Sequence, residues 1–292
     1  MAISLQVAPD APPLQNLAMS ESAPRDIYTH GHHASVVAQH GRRTAEEAAA
    51  FLLPHLESGM RLLDVGCGPG SITLGLAKYV APAEVVGIDT ASEVLATARE
   101  LRGDTPNVRF EEASVYALPY ETDSFDVAYA HQVLQHLADP SAALGEMRRV
   151  VRPGGLVAAR DSDYQTMVSW PRSEAIEEWR ALYTAVVRRN GADANAGRRI
   201  PSWFARAGLD ALTVTTTVAM MRDAEDVLNW GNSWAERVTN SAFAEQARAY
   251  GLATATDLER IAAGWRAWAR EAEALFMFVH VEGLAVVPPP SV

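Results

Sequence analysis

Short apolar runs alternate with amphipathic segments along most of the chain. A short apolar run indicates a buried strand, and apolar residues three or four positions apart indicate the buried face of a helix. Valine, threonine and alternating polarity also favour a strand at 212–220. The strands predicted in this way are 60–63, 85–89, 107–111, 127–130, 156–159, 212–220 and 275–279. Because helical segments separate most of them, we expect an α/β protein.

The predicted helices differ in length and in the clarity of their pattern. The clearest follows Asp139 and places one apolar face inward, with Ala143, Leu144, Met147 and Val150. An amphipathic helix at 34–56 is expected to break at Gly41 and to end near Pro54. Other helices are predicted from Ser71 onward and at 170–189, 200–207 and 223–273.

The segment Asp64-Val-Gly-Cys-Gly-Pro-Gly70 directly follows the first predicted strand. A short strand that enters a tight glycine loop is typical of the start of a Rossmann-like β-α-β unit. The second predicted strand ends at Asp89, where a carboxylate would lie near the ribose of a nucleoside. A dinucleotide fingerprint that starts at Gly66 would need a third glycine at position 71, which is serine. The strand, the loop and the acidic residue therefore predict a nucleoside cofactor site.

Five segments resemble, in order, the motifs of class I S-adenosylmethionine-dependent methyltransferases. They are the loop with Gly66, Gly68 and Gly70, the acidic Asp89, and the segments 118–127, 131–137 and 151–155. The resemblance covers about residues 40–162 and is greatest to the ubiquinone-biosynthesis-like branch, which includes enzymes of natural-product biosynthesis. It implies a Rossmann-like, seven-stranded, mostly parallel sheet with helices on both faces. It also implies S-adenosylmethionine as the cofactor and S-adenosylhomocysteine as the product.

Composition, periodicity and the resemblance together suggest how the chain is divided. N-terminal helices would form a cap, and in this family a helical lid over the substrate often follows the fifth strand. The expected parts are a flexible tail (1–24), an N-terminal helical cap (25–58), a cofactor-binding core (59–160), a lid or substrate insertion (161–208) and the remaining sheet and helices (209–287).

The implied cofactor-binding residues lie mostly at the carboxyl ends of the predicted strands. In the family, the loop after the third strand usually reads Gly-Asp, and this aspartate contacts the adenine amino group. Here the pair is Ala113-Ser114, so a hydroxyl and the apolar Val115 would replace the carboxylate. The complete implied set is Tyr28, Asp64, Gly66, Gly68, Gly70, Asp89, Thr90, Ser114, Val115, His131 and Gln132.

Methyl transfer to a hydroxyl group needs alignment and a route for the departing proton. His136 aligns with a histidine that resembles the catalytic one of sugar O-methyltransferases, but it could also cap or pack against its helix. His131, at the same strand end, is a second candidate. Asp161 could orient a histidine, bind the acceptor, or belong to an exposed acidic turn. The catalytic candidates are therefore His136, Asp161 and His131.

Substrate contacts are expected from the N-terminal segment and the lid. Trp170 and Trp179 could form an apolar wall, and Arg198 could bind an anionic group or lock the lid through ion pairs. The candidates are His33, Asp163, Tyr164, Trp170, Trp179 and Arg198. The histidines around position 33 are not accompanied by cysteine or paired carboxylates at ligand spacing, so no metal is predicted.

Composition narrows the functional classes. A formal net charge of −11 disfavours nucleic acid as substrate, because phosphate binding needs a basic surface. No apolar stretch reaches the length of a bilayer span, and no secretory signal is recognisable. The single Cys67 allows no internal disulfide and favours a cytoplasmic location. A homodimer is compatible with the sequence.

The sequence thus predicts an S-adenosylmethionine-dependent methyltransferase that acts on a small, mostly apolar metabolite, with a hydroxyl group as the expected acceptor. Transfer to sulfur, nitrogen or carbon stays open. So does a cyclisation or isomerisation by a protein that keeps the cofactor as a scaffold, or a non-catalytic cofactor-binding role. Formation of S-adenosylhomocysteine would separate methyl transfer from both of the other roles.

Overall fold

The computed structural model describes residues 26–29, 31 and 40–289, so the predicted tail and His33 lie outside the described residues. The sheet consists of β1 (Leu62–Val65), β2 (Val85–Asp89), β3 (Val108–Glu112), β4 (Phe125–His131), β5 (Val151–Trp170), β6 (Leu212–Met221) and β7 (Leu275–Val286). The described helices are α1 (Ala45–Ala48), α2 (Ser71–Val80), α3 (Ser92–Arg102), α4 (Pro140–Val150), α5 (Glu174–Arg189), α6 (Ile200–Arg206), α7 (Ala224–Asn240), α8 (Ala242–Ala249) and α9 (Ala255–Trp268). Short 3₁₀ turns lie at Leu53–His55, Leu134–His136 and Gly197–Arg199.

The strand order in the sheet is β3-β2-β1-β4-β5-β7-β6. Strands β1 to β5 pair in parallel, whereas β7 is antiparallel to both β5 and β6. The predicted seven-stranded, mostly parallel sheet is thus confirmed. From β1 the chain moves to β2 and β3 on one side and then to β4 on the other. Ligands of open α/β sheets bind at such a reversal, beyond the carboxyl ends of the two strands.

Helices cover both faces of the central strands, which explains their continuous apolar character. Successive residues of a strand point to opposite faces. Leu62 and its neighbour Val127 therefore pack with α1, α2 and α3, whereas Leu63 and Ala128 pack with α4 and α6. All four residues are fully buried. This two-sided packing holds the carboxyl ends of β1 and β4 in fixed positions.

Strand β5 is much longer than the predicted 156–159. The apolar run is followed by Arg160, Asp161, Ser162 and Asp163, which are all buried. The pattern alone indicates the end of a strand there, but the backbone continues to pair with β7 as far as Trp170, opposite Leu275. The predicted helix at 170–189 accordingly begins only at Glu174.

The helix predicted at 34–56 is wrong over much of its described part. The interruption at Gly41 does occur. A new, four-residue helix α1 then begins after Thr44, whose hydroxyl accepts a hydrogen bond from Glu47 N–H at 3.2 Å. Pro54 lies in a 3₁₀ turn rather than at the end of an α-helix, because proline lacks the N–H that a continuing helix needs.

An aromatic cluster joins α5, α7, α8 and α9. The predicted buried face of α5 is present, with Ile176, Trp179, Leu182, Tyr183 and Val186. The ring centre of Trp179 lies 4.2 Å from that of Trp234 and 5.0 Å from that of Trp265. In the part of the chain that the structure describes, none of the helices has the length and apolar character to cross a membrane.

We expect Trp265→Ala to lower the free energy of unfolding by about 3–5 kcal/mol, because it leaves a cavity in this cluster. Trp265 is fully buried and contacts four other aromatic rings. Trp170→Ala is the control, since that side chain is 60% exposed. Urea unfolding of both variants measures the difference, and equal losses would contradict the packing described above.

Candidate functional site

A cavity of about 700 Å³ opens at the carboxyl ends of β1 and β4, where the strand order reverses. Its walls come from the glycine loop, the segment around Arg43, the turn after β4, and parts of β5, β6, β7 and α7. Among the predicted site residues, those that line it are Tyr28, Asp64, Gly66, Gly68, Asp89, Thr90, Val115, His131, Gln132, His136 and Tyr164. The fold thus brings most of the predicted cofactor residues together.

Three glycines shape the loop between β1 and α2. Gly66, Gly68 and Gly70 have φ angles of 67°, 54° and 83°, a region that favours glycine. A Cβ atom on Gly66 would lie 2.4 Å from Val133, and one on Gly70 would lie 2.6 Å from Phe110. A Cβ atom on Gly68 would meet nothing within 4 Å. Gly66 and Gly70 therefore allow close packing, whereas the backbone at Gly68 faces open space that a ligand can fill.

Two carboxylates hold this loop in place. Asp89 accepts hydrogen bonds from Gly68 N–H and Ala91 N–H, each at 3.0 Å. Asp64 accepts one from the Thr73 hydroxyl at 2.6 Å, and burial raises the pKa of its carboxyl to about 7. Asp89 is half-buried and lines the cavity, so its further lone pairs can accept from the hydroxyls of a ribose.

Ser114 does not line the cavity, in contrast to the predicted adenine contact. Its side chain is exposed, and its hydroxyl accepts a hydrogen bond from Tyr116 N–H at 3.3 Å. The flanking Ala113 and Val115 do line the cavity, together with Ile88. This wall is therefore apolar. Gly70, the N-terminal cap of α2, is also absent from the lining.

A chain of polar side chains leads from the cavity into the sheet. Gln132, directly after β4, has a φ of 55°, which is strained for a residue with a side chain. Arg43 donates a hydrogen bond to Gln132 Oε1 at 2.6 Å. On the other side, Gln132 Nε2 lies 2.8 Å from His280 Nε2. His280 Nδ1 lies 3.0 Å from Arg160 Nη2, and Arg160 pairs with Glu282 at 3.2 Å. Arg43 and β7 thus hold Gln132 from two sides.

Three histidines line the cavity as neutral imidazoles: His131 and His280 are buried, and His136 is half-buried. Burial lowers the pKa of His136 to about 3 and that of His280 to about 2, and it lowers the pKa of His131 well below its usual value. The positive charge of Arg43 lowers all three pKa values further. The ring of His136 meets that of Tyr28 edge-on, with 4.8 Å between the ring centres.

Asp161 supports the site from behind rather than facing an acceptor. It is fully buried, which rules out the exposed acidic turn, and it does not line the cavity. Its Oδ2 accepts a hydrogen bond at 3.1 Å from the N–H of Leu134, the first residue of the 3₁₀ turn that ends at His136. Burial raises the pKa of its carboxyl well above the usual value. Asp161 therefore positions the turn that carries His136.

Four residues that were predicted to contact the substrate lie away from the cavity. Arg198 forms an ion pair with Asp163, with Nε and Oδ2 2.5 Å apart. Trp170 ends β5 on the surface, and Trp179 is fully buried in the aromatic cluster. The reason is the length of β5, which continues as a strand where the prediction places a lid. Of the predicted substrate residues described, Tyr164 lines the cavity.

One face of α7 closes the end of the cavity beside β6 and β7. Trp230, Trp234 and Arg237 follow one another at helical spacing and line it together with Tyr164 and Phe278. The side chain of Arg237 is buried, and its guanidinium carbon lies 5.0 Å from the centre of the Trp234 ring. This end of the cavity is therefore aromatic and contains a buried cation.

Four charged or ionisable cavity residues have no motif around them in the sequence: Arg43, Arg160, Arg237 and His280. Only the sheet order and the docking of α7 place them together. A weak signal exists for Arg237, since it continues the helical spacing of Trp230 and Trp234. A charge in such an apolar stripe indicates a buried polar site.

Residues 56–208, a little more than half of the chain, match the family described as a methyltransferase domain. An uncharacterized methyltransferase of Schizosaccharomyces pombe is 31% identical over 268 residues, which cover 88% of this chain and 95% of the relative. The probable methyltransferase ltbC of Aspergillus luteorubrus is 33% identical over 207 residues, which cover 66% of this chain and 72% of the relative.

Among solved structures, the 4+2 cyclase SpnF superposes with a TM-score of 0.50 at 22% sequence identity, over 85% of each chain. This similarity concerns the fold alone. It shows that one architecture is shared by proteins named for different reactions.

We expect Asp89→Asn to weaken the binding of S-adenosylhomocysteine about 10- to 100-fold, because a charged acceptor for the ribose hydroxyls is lost. Asp104→Asn, at an exposed position after α3, is the control. Titration calorimetry measures both affinities. An Asp89→Asn variant that binds as tightly as the control would contradict the assignment of Asp89 to the ribose.

Proposed function

The chain belongs to the class I S-adenosylmethionine-dependent methyltransferases, and on this basis we propose that it methylates a hydroxyl group of a small, mostly apolar metabolite. The observation that carries the proposal is the continuity of the cavity. It runs without interruption from the glycine loop and Asp89 to the aromatic wall formed by Trp230 and Trp234. A methyl donor at one end and an aromatic acceptor at the other would share one cavity.

The cofactor end offers a partner for each part of S-adenosylmethionine. Asp89 would bind the ribose hydroxyls, and Ala113 and Val115 would contact the adenine. The backbone at Gly68 leaves room for close approach. The loop continues directly into α2, whose first N–H groups favour an anion. When bound, the cofactor supplies a methyl group on a positively charged sulfur.

Arg43 is the proposed partner of the cofactor carboxylate. The segment before it lies beside the start of α2, since the carbonyl of His40 accepts a hydrogen bond from the Ser71 hydroxyl at 3.2 Å. Arg43 lines the cavity, and its bond to Gln132 aims the guanidinium at the turn after β4. A cation there can form charge-assisted hydrogen bonds with a carboxylate.

Alignment of the two reactants accounts for most of the catalysis that we propose. Holding an acceptor oxygen against the methyl group converts an encounter into an intramolecular step, which lowers the barrier by several kcal/mol. His136 faces the same cavity, and as a neutral imidazole it can take the hydroxyl proton. With a pKa of about 3 it is a weak base, so it would act best on an acceptor that is itself acidic.

Transfer of a labelled methyl group tests the proposal directly. The protein is incubated with methyl-labelled S-adenosylmethionine and a panel of naphthols, catechols, aromatic thiols and amines. Label in the hydroxyl compounds, together with an equal amount of S-adenosylhomocysteine, is expected. Label only in thiols or amines would refute the choice of acceptor atom. Conversion of a substrate without S-adenosylhomocysteine would favour the alternative, a cyclisation or isomerisation.

We expect Arg43→Gln to weaken S-adenosylhomocysteine binding about 10-fold or more, because the carboxylate loses a charged partner. Methylthioadenosine lacks that carboxylate, so its affinity should change little. Arg206→Gln, on an exposed residue at the end of α6, is the control. Calorimetry with both nucleosides gives the comparison, and an equal loss for the two would show that Arg43 does not bind the carboxylate.

We expect His136→Gln to lower kcat at least about 10-fold with little change in cofactor affinity, as for loss of a general base. Because burial lowers the pKa of His136 to about 3, this imidazole stays neutral at neutral pH. From about pH 6 to about pH 9, kcat/KM of the wild type and of the variant should therefore depend on pH in the same way. His55→Gln, on an exposed histidine, is the control. Unchanged kcat would exclude His136 as the base.

A further inference from the structure

We propose that Arg237 binds a carboxylate of the methyl acceptor, which makes the cavity selective for hydroxylated aromatic acids over their neutral counterparts. The inference rests on the methyl transfer proposed above and adds a substrate class to it. Its structural basis is a buried guanidinium in the aromatic wall of the cavity, on the face of α7 that also carries Trp230 and Trp234.

The position of Arg237 suits recognition of a ligand. The residue is 4% exposed and lines the cavity. Its guanidinium carbon lies 5.0 Å from the centre of the Trp234 ring, a cation–π contact that holds the group beside the ring. A planar guanidinium can donate two parallel hydrogen bonds to a carboxylate. The neighbouring Trp230 and Phe278 supply surfaces for the aromatic part of the same molecule.

A second anion besides the cofactor carboxylate would meet a group of three arginines in this cavity. Arg160 and Arg237 lie close enough to Arg43 for their positive charges to lower its pKa. Together with burial, these charges bring the pKa of Arg43 to about 10. Arg160 is paired with Glu282 within the sheet. If Arg43 binds the cofactor carboxylate, a carboxylate on the methyl acceptor would be a second negative charge beside these arginines.

Two tyrosines connect Arg237 to the rest of the site. Tyr28 lies within the electrostatic range of both Arg237 and Arg43, and Tyr164 within that of Arg237. Burial raises the pKa of each phenol to about 12, so both are neutral hydroxyls at neutral pH. Such hydroxyls can donate hydrogen bonds to the methyl acceptor without adding negative charge to the site. Tyr28 also contacts His136, so a carboxylate at Arg237 would hold the molecule beside the proposed base.

The test compares two matched pairs of probes on the protein saturated with S-adenosylhomocysteine: 3-hydroxy-2-naphthoate with its primary amide, and salicylate with salicylamide. Each pair has the same rings and hydroxyl and differs in charge. We expect the wild-type protein to bind each acid about 10-fold more tightly than its amide, or better. Arg237→Gln should remove this preference by weakening acid binding about 10- to 100-fold, with the amides unchanged.

Arg237→Lys should give an intermediate preference, because it keeps the charge and loses the planar fork. Arg222→Gln is the control, since the Arg222 side chain is 73% exposed and lies outside the cavity lining. Thermal unfolding and S-adenosylhomocysteine affinity show whether each variant keeps its fold.

Several results would overturn the inference. They are equal binding of acids and amides by the wild type, no binding of either acid, and an equal loss for acids and amides in Arg237→Gln. A fall in S-adenosylhomocysteine affinity as large as that of Arg43→Gln would also overturn it, because it would assign Arg237 to the cofactor.

The proposed function fails in a different way. Acid binding that depends on Arg237, without label transfer to any hydroxyl compound, would refute the methylation and keep the anion site. Label transfer that proceeds equally with acids and amides, and equally in Arg237→Gln, would keep the methylation and refute the anion site.

Discussion

The hydrogen bond from Gly68 N–H to the Asp89 carboxylate, 3.0 Å long, joins the carboxyl ends of β1 and β2. It holds the middle of the glycine loop, which needs left-handed backbone angles at three positions to turn from strand into helix. Only residues without a side chain adopt those angles at little cost, and two of them also pack where a Cβ atom would collide. The position of α2 and the floor of the cavity both depend on this turn. The acidic residue at the end of β2 therefore shapes the loop, and it also lines the cavity.

A second constraint comes from the antiparallel strand β7. Its pairing with β5 places His280, which lines the cavity, opposite Ser162, and Glu282 opposite Arg160. Buried charges are costly unless they are paired, and here Glu282 accepts from Arg160 and from the hydroxyls of Thr215 and Thr217. The same series of hydrogen-bonded side chains continues through His280 to Gln132 and Arg43. The strained turn after β4 is thus tied both to the sheet and to the N-terminal side of the site.

The sequence was sufficient for the parts of the molecule that follow local rules. The glycine loop, the second strand and its terminal Asp89 are specified by residues within 26 positions of one another, and the structure has β2 at the predicted 85–89. The buried face of α5 follows in the same way from its helical spacing. These features depend on periodicity and on the conformational freedom of glycine, which a single sequence displays.

The aromatic end of the cavity could not be predicted because it depends on contacts between distant segments. Four polar residues after position 159 indicate the end of a strand, yet they are buried against β7, more than 100 residues later. That error placed Trp170 and Trp179 in a lid, whereas one is exposed and the other lies in the core. Arg237 and His280 reach the cavity only through the docking of α7 and β7.

A crystal structure of the protein with S-adenosylhomocysteine tests most directly whether one cavity serves both cofactor and acceptor. We expect the ribose hydroxyls within hydrogen-bond distance of Asp89, the carboxylate on Arg43, and the sulfur facing the space between His136 and Trp234. A nucleoside bound away from the glycine loop, or a sulfur turned away from the aromatic wall, would contradict the shared cavity on which the proposed methyl transfer depends.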